Sequence, residues 1–238
     1  MMLDDYEMTE EQRIQFELEK AAGKKKKKWP VIVGWSIIGL IALIILYFTV
    51  FANGQTTDQR KPVIYLYPEK TTEVTVVLDF KGKLTSTYPA YENGWKVTAQ
   101  PDGTLTDADG QKYNYLFWEG KSESEFDFSK GFCVKGSDTA EFLEEALSKL
   151  GLNRSEANEF IVYWLPLMEK NKYNVISFQT EAYTANAKLI VDPAPDTVIR
   201  VFMAWYGTKK PVKISEQELS APERVGFTVV EWGGSEIR

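Results

Sequence analysis

From Val31 to Ala52 the chain reads VIVGWSIIGLIALIILYFTVFA, 22 residues without a charge. At about 1.5 Å per residue such a helix is about 33 Å long, against a bilayer hydrocarbon core of about 30 Å. The run predicts one transmembrane helix. Trp29 and Trp35 at one end and Tyr47 and Phe51 at the other suit the interfacial aromatic belt. The competing reading is a secretory signal, with Val50-Phe51-Ala52 as a small-x-small cleavage site. A signal's apolar region spans about 7–15 residues behind a short basic segment. This run is longer, and thirty residues precede it.

Charge sets the expected orientation. Lys24 to Lys28 are five consecutive lysines on the N-terminal side, whereas the other side opens NGQTTDQRK. The positive-inside rule puts 1–30 in the cytoplasm and the rest beyond the span outside the membrane. The expected organisation is a cytoplasmic stub with polylysine (1–30), a transmembrane helix (31–52), a polar linker (53–60) and an extracytoplasmic domain (61–238). Within the stub, residues 8–22 read as a helix. Thr9 with Gln12 fits a capping box, but Ile14, Phe16 and Leu18 make no clean apolar stripe.

The stub carries seven acidic and seven basic residues, so the net charge of −6 belongs to the outer part. That argues against a nucleic-acid partner, which asks for a basic face. The expected partners are the lipid bilayer and a cell-envelope glycan or protein. The chain has one cysteine, Cys133, so the outer domain contains no internal disulfide. An extracytoplasmic domain of this kind points to a bacterial source. The chain has no histidine. That excludes a Ser-His-Asp triad, a Cys-His dyad and a histidine metal site; no metal and no cofactor is expected.

The outer part alternates strand and helix signals. Val63 to Tyr67, between Pro62 and Pro68, reads as an entry strand. Residues 73–80 and 95–99 alternate with period two, and Asp102-Gly103 and Asp109-Gly110 are hairpin dipeptides. Residues 112–118 complete a meander. Asp138 with Glu141 and Asn153 with Glu156 predict the starts of two helices, with Gly151 between them and Pro166 ending or kinking the second. Strands return at 173–179, 187–191, 197–205 and 226–232. Strands, a helix pair, then strands predict an α+β class: a mostly antiparallel sheet or sandwich with an inserted helical hairpin, behind one N-terminal transmembrane helix.

The stretches KPVIYLYP (61–68), GWKVTAQPDGTL (94–105), YLFWEG (115–120), FIVYWLP (160–166) and IRVFMAW (199–205) together resemble a family of uncharacterised bacterial and fungal proteins sharing a KPVIYLYP-type domain. The resemblance covers most of 61–233 and implies one domain over that range. It implies no activity.

The most pointed carboxylate is Glu119, after the apolar run YLFW and before Gly120. Desolvated beside Trp118, it would suit a general acid. Asp127, Glu125 or Glu231 could supply the second carboxylate that glycoside hydrolysis needs. The structural alternative is a salt bridge or hydrogen bond to Arg200 or Lys61. Arg200, inside an apolar strand, wants an internal partner or anchors an anionic ligand group. Cys133 lacks a histidine base and reads as core. Asp102, Asp107 and Asp109 crowd one hairpin without an EF-hand spacing. Among the aromatics, Trp95 and Trp232, each beside glycine, are the expected exposed platforms, and Tyr65 and Tyr67 are expected on the less buried face of the entry strand.

The function expected from these features is a single-pass, membrane-anchored binding module on the outer face of a cell membrane. Its candidate ligand residues are Tyr65, Tyr67, Trp95, Arg200 and Trp232. The alternatives are a carboxylate-dependent, glycoside-type hydrolase using Glu119 with Asp127 or Glu231, and a sensor relaying signals through residues 8–22.

Overall fold

The computed structural model describes residues 9–22, 39–41 and 57–237, which fall in two compact units, 1–54 and 55–238. In the first unit, helix α1 spans Glu10–Ala22. It starts where the capping pair predicts, with the Thr9 N–H donating to Gln12 Oε1 at 3.2 Å. Ile14, Phe16 and Leu18 are all exposed. Residues 39–41 are helical. The rest of the apolar run 31–52 lies outside the described residues. Among those described, no helix is long and apolar enough to cross a membrane.

The second unit is built on two sheets. Its strands are β1 (Thr57–Tyr67), β2 (Thr72–Phe80), β3 (Lys83–Tyr88), β4 (Trp95–Ala99), β5 (Leu105–Thr106), β6 (Lys112–Tyr113), β7 (Leu116–Ser122), β8 (Phe132–Lys135), β9 (Tyr173–Phe178), β10 (Ala187–Asp192), β11 (Thr197–Thr208) and β12 (Thr228–Glu236). The larger sheet has seven strands in the order β3-β7-β1-β12-β11-β9-β8, and the smaller has five in the order β10-β2-β4-β5-β6. All pairings are antiparallel except β11 with β12. The class is α+β, as expected. β1 begins at Thr57, so residues 57–60, read from the sequence as linker, are strand.

Side-chain alternation splits the core in two. Val63 and Tyr65 of β1, Ile199 to Trp205 at every second position of β11, and Val230 and Trp232 of β12 face the helices. Ile64, Leu66, Phe202 and Val229 face the smaller sheet, where Val74, Val76, Trp95 and Val97 meet them. The large sheet is therefore covered on both faces. That is why its central strands read as continuous apolar runs rather than as alternating ones. The result is three layers: helices, seven-stranded sheet, five-stranded sheet.

The helix layer consists of α2 (Thr139–Lys149) and α3 (Arg154–Met168). Asn153 and Glu156 form the predicted capping box, each side chain bonding the other's backbone N–H. Asp138 makes no such bond; its carboxylate takes the Ser137 hydroxyl at 2.6 Å instead. Pro166 does not end the helix, which runs to Met168. The carbonyl that loses its i+4 donor belongs to Val162, which is 74% exposed, so solvent can replace the missing bond. Gly234 admits the Trp164 ring to the sheet: a Cβ there would stand 2.7 Å from Trp164 Cζ2. Past β9 a short helix not expected from the sequence, α4 (Thr180–Asn186), leads into β10.

Parallel strands cannot be joined by a tight turn. Residues 209–227 cross from the end of β11 back to the start of β12, with no helix and no strand. The segment is tied down along its length. The Val212 N–H donates to Cys133 Sγ, Ser215 bridges Lys130, and Gln217 bonds both backbone groups of Phe178. Arg224 reaches the Gly151 carbonyl and the buried Glu156 carboxylate. These anchors carry the segment in an arc around one end of the large sheet.

Candidate functional site

Inside that arc β9 stops short. It pairs with β11 only from Met203 to Thr208, so among the described residues the first half of β11 has no strand neighbour on that side. A cleft of about 780 Å³ opens there. Its floor is Val198 to Arg200, its walls are the turn from β9 into α4 and residues 217–222, and Asp127 to Lys130 close one end. Backbone groups of a strand residue point to one side, alternating along the chain. The Phe202 carbonyl takes the Gln179 N–H and the Arg200 carbonyl takes the Thr180 hydroxyl, so Val198, Arg200 and Phe202 present their backbone to the cleft.

Two kinds of surface meet in it. Leu150, Val198, Leu219 and Pro222 make one part apolar, and Val198 is 45% exposed. Asp127, Lys130, Glu181 and Glu218 make the other part charged, three carboxylates to one ammonium. Asp127 is held ionised: the Ser129 hydroxyl and N–H both donate to it, at 2.6 and 2.8 Å, and lower its pKa. Gln179 braces the wall by donating to the Asp127 carbonyl at 2.5 Å and to the Ser177 hydroxyl at 2.8 Å.

Behind the floor lies a buried polar cluster. Arg200 and Glu231 stand opposite each other on β11 and β12, and Arg200 Nε and Nη2 both lie 2.5 Å from Glu231 Oε2. The other Glu231 oxygen accepts the Trp118 indole N–H at 3.0 Å. The guanidinium carbon sits 4.7 Å over the Tyr183 ring, and that ring stacks on Phe202. Burial works most strongly against the Arg200 charge, but Glu231 and Tyr183 together outweigh it and the net shift of its pKa is upward. Burial also raises the pKa of the Tyr183 hydroxyl. Arg200 is thus an internal ion-pair partner whose backbone, rather than an unpaired guanidinium, faces the cleft.

Of the four carboxylates singled out in the sequence, Glu125 is exposed and does not line the cleft, and Glu119, Glu231 and Asp127 do not converge. Glu231 shares the face of Trp118, toward the smaller sheet, whereas Glu119, one residue on, points the opposite way and accepts the Lys61 N–H at 3.1 Å. That bond secures an unusual backbone, since Lys61 has φ +56°. Asp127 lies at the cleft, which neither Glu119 nor Glu231 lines.

The expected aromatic platforms are buried. Trp95 is 2% and Trp232 0% exposed. Trp95 packs between the sheets and donates to the Pro89 carbonyl, while Trp232 meets Phe160 edge-on under α3. Gly94 does stand at the start of β4, whereas Gly233 lies inside β12 and marks a close approach of Pro62. Tyr65 and Tyr67 face the helices and not an open surface. Tyr65 is 5% exposed and its hydroxyl donates to Glu159 of α3 at 3.2 Å. Burial raises the pKa of both tyrosines. Around them, Tyr115, Phe117 and Tyr163 surround the Lys61 ammonium at 5.3 to 5.8 Å. Among the described residues no cluster of three or more acidic or cysteine side chains could hold a metal.

The cleft residues Val198, Gln179 and Gln217 were not singled out from the sequence. One signal was available: KKPVKISEQELSAPERVG separates two strongly apolar strands without a periodicity of its own. Long unstructured connections in a compact domain are usually functional.

No family model matches the chain, and no solved structure does. A protein of Butyrivibrio fibrisolvens described as "Uncharacterized protein in bglA 3'region" is 44% identical over 92 residues, which are 36% of this chain and 95% of that protein. With that length of match at that identity, the chain belongs to the same protein family as the Butyrivibrio fibrisolvens protein.

Proposed function

We propose that the protein is a membrane-anchored, extracytoplasmic binding module whose ligand occupies the cleft between β9, β11 and the 217–222 wall. The observation that carries this reading is the open first half of β11. A buried central strand of the large sheet loses its neighbour there, and a 19-residue connection is tied around the gap instead of filling it. The membrane part rests on the uncharged run from Val31 to Ala52 and the five lysines before it. Ligand classes in keeping with such a placement are envelope glycans and proteins.

The geometry around Glu119 does not favour the hydrolase alternative, with Asp127 at the cleft and Glu119 not lining it. The Glu119 carboxylate holds a backbone N–H, and Glu231 lies on the other face of the sheet.

A photoreactive amino acid placed at Val198 in living cells tests the cleft. Ile190, 55% exposed on β10, serves as the control position. A discrete adduct at 198 and none at 190 is the expected result. Equal labelling at both, or none at either, would sink the assignment.

A further inference from the structure

We infer that the cleft takes an extended, cationic polypeptide segment, added as a strand to the free edge of β11 at Val198–Arg200. The inference rests on the cleft being the ligand site, and it names the class of ligand.

Backbone chemistry is the first argument. Of the groups that β11 turns toward the cleft, the carbonyls of Arg200 and Phe202 are taken by Thr180 and Gln179. On the side away from β12, among the described residues, no bond reaches the N–H or carbonyl of Val198 or the N–H of Arg200. An exposed row of this kind is a template for another strand. A peptide strand meets it with main-chain donors and acceptors at the right repeat, which a sugar ring does not. The fold treats neighbouring backbone the same way. At Phe178, where β8 has already ended, the Gln217 side-chain amide gives one donor and one acceptor and imitates a strand neighbour.

Side-chain environment is the second argument. Residues of an added strand would point alternately to the two faces of the sheet. One face offers Leu150, Ile199 and Leu219, and the rims offer Asp127, Glu181 and Glu218. Arg200 does not offset these acids, because Glu231 already neutralises it. Among the described residues Lys130 is the one lining cation left, so the lining is acidic and matches a segment that carries lysine or arginine. The outer part of the chain has the same sign, 27 acidic to 21 basic residues.

The test uses the full-length chain in detergent and the labelled heptapeptide acetyl-(Lys-Val)3-Lys-amide. Three comparisons accompany it: the same peptide with alternate backbone amides N-methylated, its glutamate counterpart, and soluble peptidoglycan fragments. Val198→Pro removes the free N–H at the edge, and Glu218→Lys reverses one wall charge. The lysine peptide is expected to bind at least tenfold tighter than its N-methylated and glutamate counterparts. Val198→Pro should weaken it at least tenfold, and Glu218→Lys several-fold, with the circular dichroism of both variants unchanged. Should Val198→Pro alter the fold, the N-methylated peptide still reads the edge on the unaltered protein. Peptidoglycan fragments that bind and are lost in Glu218→Lys, while no peptide binds, would overturn the peptide inference and keep the cleft. Binding of any probe that neither variant and no N-methylation changes would overturn both.

Discussion

A single charge inside an apolar strand fixes its own partner by register. Arg200 faces Glu231 across a parallel pairing, and Trp118 uses up the remaining carboxylate oxygen. Both side chains are at least nine-tenths buried, so removing one leaves the other uncompensated. Arg200→Leu is expected to cost about 3–5 kcal/mol by chemical denaturation, and Arg200→Met with Glu231→Leu much less than the sum of the single changes. The need for a partner was legible in the sequence. Its identity was not, because it depends on which face each carboxylate takes: Glu119 and Glu231 both sit in strongly apolar strands, and only the parity against Trp118 separates them. Asp127 gives a pH signature. Its folded pKa is lowered, so the stabilisation is complete above the usual carboxylate range and disappears as pH falls through the lowered value. Exchange of the Ser129 amide should stay slow through pH 4 and quicken only below the ordinary aspartate pKa. Asp127→Asn should be fast throughout.

At the scale of elements, the helix pair separates a cap that works from one that only resembles it. Asn153→Ala removes a formed capping box and should destabilise the outer domain by about 1 kcal/mol in thermal or chemical unfolding. Asp138→Ala removes no cap bond and should be close to neutral. Glu156 does more than cap: it is buried and holds Arg224, tying the crossover segment to α3. Glu156→Gln is therefore expected to loosen residues 219–226, read as faster amide exchange there than in β11. Strand positions were legible from alternation and hairpin dipeptides, and the capping box located α3. The exposed-tryptophan reading was not reliable, because a glycine beside a tryptophan can mark either a strand end or a tight approach. In β12 it marks the approach, with Pro62 lying against Gly233. The short α4 was hidden because TEAYTAN has no apolar stripe of its own; it is held by Tyr183, inserted between Trp118 and Phe202.

At the scale of the whole molecule, the layered core was legible as a class and the cleft was not. Two-sided burial follows from the continuous apolar runs of β1, β11 and β12. The parallel join of β11 to β12 is a long-range choice that leaves no local mark except the long connection it requires, and the cleft is a product of that connection. The proposed function puts the 217–222 wall on the outside of the cell, with a ligand held in its cleft. Cysteine labelling measures both parts at once. In a Cys133→Ser background, Glu218→Cys and Ile190→Cys would be treated with a membrane-impermeant maleimide, in unbroken cells and after purification. The proposed placement is expected to give labelling at both positions in unbroken cells, with only position 218 slowed there relative to the purified protein. Labelling that appears only after lysis, or equal slowing at 218 and 190, would contradict it.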